Sequence, residues 1–351
     1  MNKVKVAIVG VGSISTCHIE GYLKNPNVEL YAFCDINEAR LKEKGEKYGI
    51  SRLYTDEAKM LAELPELDAV SVCTWNSAHA PCSIMALNAG KHVLCEKPMS
   101  TNAKDAIAMK EAAEKNGKLL AIGFVRRFQK STDLVLDLVN AGELGEMYYA
   151  KAAYIRRCGH PGGWFGDKSR SGGGPLIDLG VHVIDLVRYV MGNPKPVSVY
   201  GATYAKLGQR SDIKASKAYT SADKSDKDIC DCEDLATALI RFDNGATLAA
   251  EMSFSLNSGG EDGGVRIFGT KAGVKIDGGV SLYGSAAGHL TDTHFGNVDD
   301  GDACFDREMA HFIDCIQNGT KCINTAEDGI ELMKILDAIY RSAETGHEEI
   351  I

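Results

Sequence analysis

The sequence predicts an α/β protein, with a doubly wound parallel-sheet domain followed by a sheet-rich α+β domain. Three observations carry this expectation. Short β-branched runs alternate with segments of helical spacing as far as about residue 123. A Gly-x-Gly turn joins the first run to the first helical segment. Beyond residue 123 the rhythm changes to apolar–polar alternation broken by turn residues, as antiparallel hairpins require.

In the first domain, expected at 1–123, the strands read as 4–9, 28–34, 69–73, 92–95 and 119–123. Between them, helical spacing marks 56–64, 79–89 and 103–116. The second domain, expected at 124–351, shows alternation over 146–155, 197–204, 235–242, 246–254 and 264–268. Asp243-Asn244-Gly245 supplies a hairpin turn between two of these runs. A long helix is expected over 174–191, and the last helix, over 326–342, is expected to pack back on the first domain. The polar stretch 208–234 reads as a surface loop, and the glycine-rich stretch 278–302 as irregular.

Bulk properties narrow the function. A chain of 351 residues that is 44% hydrophobic can bury two ordinary cores. A formal charge of -9 argues against a nucleic-acid partner, which needs clustered cations to neutralise phosphates. The opening Met1-Asn2-Lys3-Val4-Lys5-Val6-Ala7-Ile8-Val9 has too short an apolar run for a signal peptide. No stretch approaches the ~18 apolar residues of a membrane span, so a soluble, cytoplasmic protein without a membrane partner is expected. Of the eleven cysteines, Cys34, Cys73 and Cys95 lie in apolar runs and read as small buried hydrophobes. Cys230-Asp231-Cys232 lacks a second ligand pair at metal-site spacing, so no metal is expected and reduced thiols are.

Gly10-Val11-Gly12-Ser13-Ile14-Ser15 follows a strand and opens a helix. Gly10 permits the tight turn, Gly12 lets the backbone approach a pyrophosphate, and the amides beyond face the anion. Ser15 replaces the third glycine with another small residue. Asp35 ends the second strand 23 residues beyond Gly12, near the ~20-residue spacing of the acid that holds a ribose diol. A carboxylate there repels a 2'-phosphate, which favours NAD over NADP. This is the dinucleotide fingerprint of a Rossmann domain.

Two further segments point to chemistry. Glu96-Lys97-Pro98 lies at a strand end, where ligands of open α/β sheets bind. A lysine there can hydrogen-bond a substrate hydroxyl and stabilise the alkoxide formed as hydride leaves. In Gly172-Gly173-Gly174-Pro175-Leu176-Ile177-Asp178-Leu179-Gly180-Val181-His182, a helix from Asp178 aligns Asp178, His182, Asp185 and Tyr189 in one polar stripe. His182 suits a general base near neutral pH, and Asp178 an orienting group. Arg157, Trp164 and Lys168 on a glycine-rich loop make a candidate sugar platform, an aromatic face with several donors.

Together with Thr74-Trp75-Asn76-Ser77-Ala78-His79, these segments resemble the Gfo/Idh/MocA oxidoreductases over almost the whole chain. The resemblance implies a Rossmann domain, an α+β domain with a large open sheet, and a sugar or polyol substrate. It implies catalysis by Lys97, Asp178 and His182, and NAD contacts from Gly10, Gly12, Ser13, Ile14, Asp35, Thr74, Asn76, His79, Glu96, Lys97 and Arg127. A homodimer or homotetramer is expected through the open sheet. The segment 156–168, with Cys232-Glu233-Asp234 and Ser342-Ala343-Glu344-Thr345-Gly346, resembles the branch that oxidises C3 of O- or C-glucosides, with Arg157, Trp164, Lys168, Asp178 and His182 on the substrate. An inositol or other polyol dehydrogenase, an NAD-dependent oxidation–elimination glycosidase and a non-catalytic NAD-binding regulator stay open.

Overall fold

The computed structural model describes residues 3–210, 213, 219–259, 263–298 and 301–351. Met1 and Asn2 of the opening segment, and parts of the stretches 208–234 and 278–302, lie outside the described residues.

The first unit comprises residues 1–125 and 302–330. Its N-terminal part runs β1 (Val4–Val9), α1 (Ser15–Lys24), β2 (Val28–Cys34), α2 (Glu38–Tyr48), β3 (Leu53–Tyr54), α3 (Glu57–Glu63), β4 (Ala69–Val72), α4 (Asn76–Asn88), β5 (His92–Glu96), α5 (Ala103–Asn116) and β6 (Leu120–Gly123). The six strands are parallel in the order β3-β2-β1-β4-β5-β6. The order reverses beside β1, which places the ligand crevice beyond the carboxyl ends of β1 and β4. Val6, Ile8, Val70, Val72, Val93 and Leu94 are wholly buried, as strands covered on both faces must be. Asn37, Asp56 and Asn102 cap α2, α3 and α5 by accepting a backbone N–H.

The second unit comprises residues 126–301 and 331–351. It contains α6 (Lys130–Asn140), β7 (Met147–Ile155), the short α7 (Lys168–Ser171), α8 (Val181–Val190), β8 (Pro196–Tyr204), β9 (Leu235–Phe242), β10 (Thr247–Ser253), β11 (Gly264–Gly269), β12 (Gly273–Ile276), β13 (Val280–Ala286) and β14 (His289–Phe295). Helix α9 (Ala303–Asn318) follows, then α10 (Ala326–Thr345) and β15 (Glu349–Ile350). The nine strands form a mixed open sheet ordered β14-β13-β12-β11-β7-β10-β9-β8-β15, in which β7 and β10 are the parallel pair. Helix α8 lies on the face that carries Ala150, Ala152, Val265 and Ile267. The opposite face is open: Tyr200 and Leu239 are paired across β8 and β9 and about half exposed.

The structure departs from four expectations. The stretch 302–330 belongs with the first unit, because α9 packs on α1 with Met309 against Gly21, and Asn324 pairs with Ile122 of β6. Of the last helix, only residues 326–330 belong there; residues 331–345 belong to the second unit, with Ile339 against Gly201 and Tyr340 against Gly173. Within 278–302, β13 and β14 form a hairpin whose turn, Ala287-Gly288, has positive φ at both residues (51° and 82°) as a two-residue hairpin needs. The expected helix over 174–191 is a π-type turn at Leu176–Gly180 followed by α8.

Candidate active site

The first unit supplies a nucleotide cradle. Gly10 has φ +86°, and a Cβ there would lie 2.7 Å from the backbone of Cys73 and Thr74, so both turn geometry and packing require glycine. Gly12 differs: a Cβ there would meet nothing within 4 Å. No protein atom demands a glycine at position 12, which fits a position kept bare for a close-lying pyrophosphate. Ser13 and Ile14 complete the turn, and Ile14 precedes α1 without a side-chain cap or an acid in its first turn. The positive end of the helix is thus left to an anion. Ser15 is fully buried and its hydroxyl donates to the Gly12 carbonyl at 2.7 Å. Asp35 accepts from the Val11 N–H at 2.8 Å through Oδ2 and from the Asn37 N–H at 2.7 Å through Oδ1. A carboxylate has acceptor capacity beyond these two bonds for a ribose diol. One Arg40 guanidinium nitrogen lies 4.0 Å from the same carboxylate, a cation the sequence analysis did not assign.

At the ends of β4 and β5, the side chains hold the loops together. The His79 ring nitrogens face the Pro98 carbonyl at 2.7 Å and the Thr74 carbonyl at 3.0 Å. Burial pushes the His79 pKa down, so the neutral ring donates to one of the two carbonyls. Expected as a cofactor contact, His79 in the structure ties the Thr74 loop to the Lys97-Pro98 loop. Asn76 is buried at the start of α4. Glu96 is buried too; burial alone would raise its pKa, but the hydrogen bond from His18 holds it below the usual carboxylate range. It accepts from the Lys97 N–H at 3.0 Å and pairs with His18 at 2.8 Å. Behind His18 run Ser71 at 3.1 Å and Tyr22, whose hydroxyl is 2.8 Å from that of Ser71. The donor order Tyr22 to Ser71 to His18 to Glu96 satisfies every group. Lys97 is half-buried directly after β5.

The second unit carries the Asp178–His182 pair. Asp178 is buried in the π-type turn, a distortion frequent at functional sites, and His182 is half-buried in the first turn of α8. Close packing explains the preceding glycines. A Cβ on Gly173 would lie 2.0 Å from the Tyr340 hydroxyl, and one on Gly174 2.0 Å from the Glu233 carbonyl. The Glu233 carboxylate accepts from the Leu176 N–H at 3.2 Å and the Tyr340 hydroxyl at 2.9 Å, anchoring the turn that holds Asp178. Burial raises the Glu233 pKa.

The predicted polar stripe divides in two. Asp185 is paired with the fully buried Arg127 through two bonds, at 3.0 and 2.5 Å, and the Arg127 guanidinium lies 4.5 Å over the Tyr189 ring. Arg127, expected as a cofactor contact, therefore braces α8. His182 instead faces Tyr154 of β7, their rings 6.3 Å apart. Burial would raise the Tyr154 pKa, but Arg156 and Arg126, 5.4 and 4.9 Å from its ring, bring it below the ordinary tyrosine value. Sequence reasoning missed Tyr154, His18 and the anchoring role of Glu233; the one available signal for Tyr154 was its place near a strand end beside Arg156.

The proposed platform is less unified. Trp164 stacks on Phe165 at 4.0 Å, which occupies one face of its ring. Arg157 is exposed beyond β7. Lys168 is exposed at the start of α7, its ammonium 6.0 Å from the Tyr340 ring and its backbone N–H on Asp231 at 2.8 Å.

Comparison with known proteins matches both halves of the chain to one family. Residues 4–124 match the description "Oxidoreductase family, NAD-binding Rossmann fold" and residues 137–350 the family's "C-terminal alpha/beta domain". The chain is 36% identical to the D-glucoside 3-dehydrogenase of Escherichia coli K12 over 347 residues, covering 98% of this chain and 96% of that protein. It is 28% identical to the myo-inositol 2-dehydrogenase of Thermotoga maritima over 277 residues, 78% of this chain and 75% of that one. The crystal structure of the aldose-aldose oxidoreductase of Caulobacter crescentus superposes with a TM-score of 0.83 at 28% identity, covering 100% of both chains. Among the described residues, no helix is long and apolar enough to cross a membrane. With both domains of the family matched along the chain and an NAD cradle built at the end of β1, this protein belongs to the Gfo/Idh/MocA family and is an NAD-dependent oxidoreductase.

Proposed function

We propose that the protein oxidises a secondary hydroxyl of a sugar, C3 of an O- or C-glucoside, to the 3-keto product. The observation that carries this reading is the 36% identity to D-glucoside 3-dehydrogenase over 98% of a chain that carries Lys97, Asp178 and His182. NAD, when bound, would supply the hydride acceptor. His182 takes the hydroxyl proton, Lys97 stabilises the developing alkoxide, and Asp178 keeps the hydroxyl and the base in register. Arg157, Trp164 and Lys168 hold the rest of the sugar. Among the cofactor contacts, Gly10, Gly12, Ser13, Ile14 and Asp35 hold the adenosine and pyrophosphate, and Thr74, Asn76, Glu96 and Lys97 the nicotinamide end.

The open sheet face, with Tyr200 and Leu239 side by side, is the surface through which a homodimer or homotetramer forms. Sedimentation at micromolar concentration checks this, and a monomer contradicts it. The eleven cysteines are present as thiols, which suits a cytoplasmic location. The function is tested with a panel of glucosides and inositols, read by the absorbance of reduced nicotinamide and by product analysis. A 3-keto glucoside is expected. Preferential oxidation of inositol, or release of free sugar and aglycone, selects one of the other dehydrogenase or glycosidase readings.

A further inference from the structure

We propose that His311, Cys315 and Cys322 form a binding site for one thiophilic divalent cation, zinc in class, at the end of α9 in the first unit. His311 and Cys315 are four residues apart on α9 and therefore share one face of the helix. Helix α9 ends at Gly319, whose φ of +68° lets the chain turn back. That return brings Cys322 to the same place, so that one ligand atom from each of the three residues lies within 4.8 Å of the others.

The spacing is that of a coordination shell. Zn–S bonds of ~2.3 Å and Zn–N bonds of ~2.0 Å in a tetrahedron set neighbouring donor atoms roughly 3.5–3.8 Å apart. The Cys315 sulfur lies 3.4 Å from His311 Nε2, close to one such edge. His311 Nε2 also accepts from the Ile323 N–H at 3.2 Å, so the lone pair is on the nitrogen that faces the Cys315 sulfur. That is the tautomer a metal-binding imidazole needs.

A fourth donor is in place. Asn324 is buried, and its amide nitrogen donates to the Ile122 carbonyl at 2.7 Å, which turns its oxygen to within 3.1 Å of the Cys322 sulfur. Asn324 Oδ1 or a water completes the tetrahedron. Two thiolates and a neutral imidazole select a soft or borderline ion over magnesium or calcium. Binding releases the two thiol protons to solvent, and the dication and two thiolates sum to zero charge. The Ile323 hydrogen bond to His311 is exchanged for the metal bond. The result is a clip between α9 and the 322–324 segment, which itself pairs with β6 through Asn324.

The test is metal analysis of the full chain, loaded with zinc under reducing conditions and dialysed. About one zinc per chain is expected, with retention at least ~10-fold lower in His311→Ala, Cys315→Ser and Cys322→Ser, while Cys230→Ser retains it. Cobalt in place of zinc should give a thiolate-to-cobalt charge-transfer band that Cys315→Ser abolishes. Should a variant fail to fold, the cobalt spectrum of the unaltered chain decides alone: no charge-transfer band overturns the proposal. Zinc absent after loading, zinc content unchanged in the three variants, or a Cys315–Cys322 disulfide in protein isolated without reductant each overturns it as well.

Discussion

The two sheets present chemistry in different ways. In the first unit, the parallel sheet offers backbone: a bare glycine turn, the uncapped start of α1 and one carboxylate at the end of β2. In the second unit, the mixed sheet offers side chains on a single buried helix, and these need bracing by partners distant in sequence. Backbone recognition suits a cofactor that every turnover shares, whereas braced side chains suit a substrate that must be positioned to a fraction of an ångström. Lys97 apart, the nucleotide cradle of the first unit should accordingly tolerate side-chain changes that the second unit does not.

That contrast is broken most severely at the reacting groups. His182→Ala and Lys97→Ala should each lower turnover by ~10²–10⁴-fold with NAD affinity preserved, as steady-state rates and a calorimetric NAD titration would show. The double variant should fall well short of the product of the two, since both act on one proton transfer. An active His182→Ala with an unchanged pH profile would move the base to another group, with Tyr154 the first candidate from its lowered pKa and its place beside His182.

Bracing is tested next. Arg127→Ala strands Asp185 as a buried charge, and breaking such a pair costs ~3–5 kcal/mol. Urea unfolding should show that loss. An unchanged midpoint would mean that α8 does not depend on the pair.

Glu57 provides a smaller, pH-dependent effect in the first unit. Burial raises its pKa to about 7. Between its unfolded value and pH 7 the folded state holds a proton that the unfolded chain has lost. Stability is therefore fully present at acid pH and falls as pH rises through 7, by about 3 kcal/mol in all. Glu57→Gln should flatten that decline in thermal melts between pH 5 and pH 8.

The smallest expected effect sharpens the reading of the cofactor cradle. Asp35 should make NAD bind at least ~10-fold better than NADP, about 1.4 kcal/mol. Asp35→Ser should narrow the gap, because it removes the repulsion and releases Arg40 to meet a 2'-phosphate. Equal affinities in the unaltered protein would refute the role given to Asp35.

Legibility in the sequence follows the same contrast. The strands of the first sheet are buried on both faces, so apolar runs such as Val4–Val9 and Val28–Cys34 stand out, while the two-residue β3 is too short to register. The hairpin of β13 and β14 went unread because its residues are largely exposed or half-exposed on both faces, leaving no period-two contrast. At the site, the Gly turn, Asp35, Lys97 and the Asp178–His182 pair were legible because their spacing is local. Arg127 with Asp185, Tyr340 with Glu233 and His18 with Glu96 join residues 58, 107 and 78 positions apart. Only the folded chain brings these together, which is why the bracing bonds of Arg127 and His79 could not be read from local spacing.

The central claim is that hydride leaves C3 of a glucoside for bound NAD. Its most direct test is a methyl glucoside carrying deuterium at C3, with the reduced nicotinamide analysed by mass spectrometry. Deuterium on the nicotinamide and a 3-keto sugar are the predicted result. Reduced nicotinamide free of deuterium, formed while the sugar keeps its label, would contradict the account.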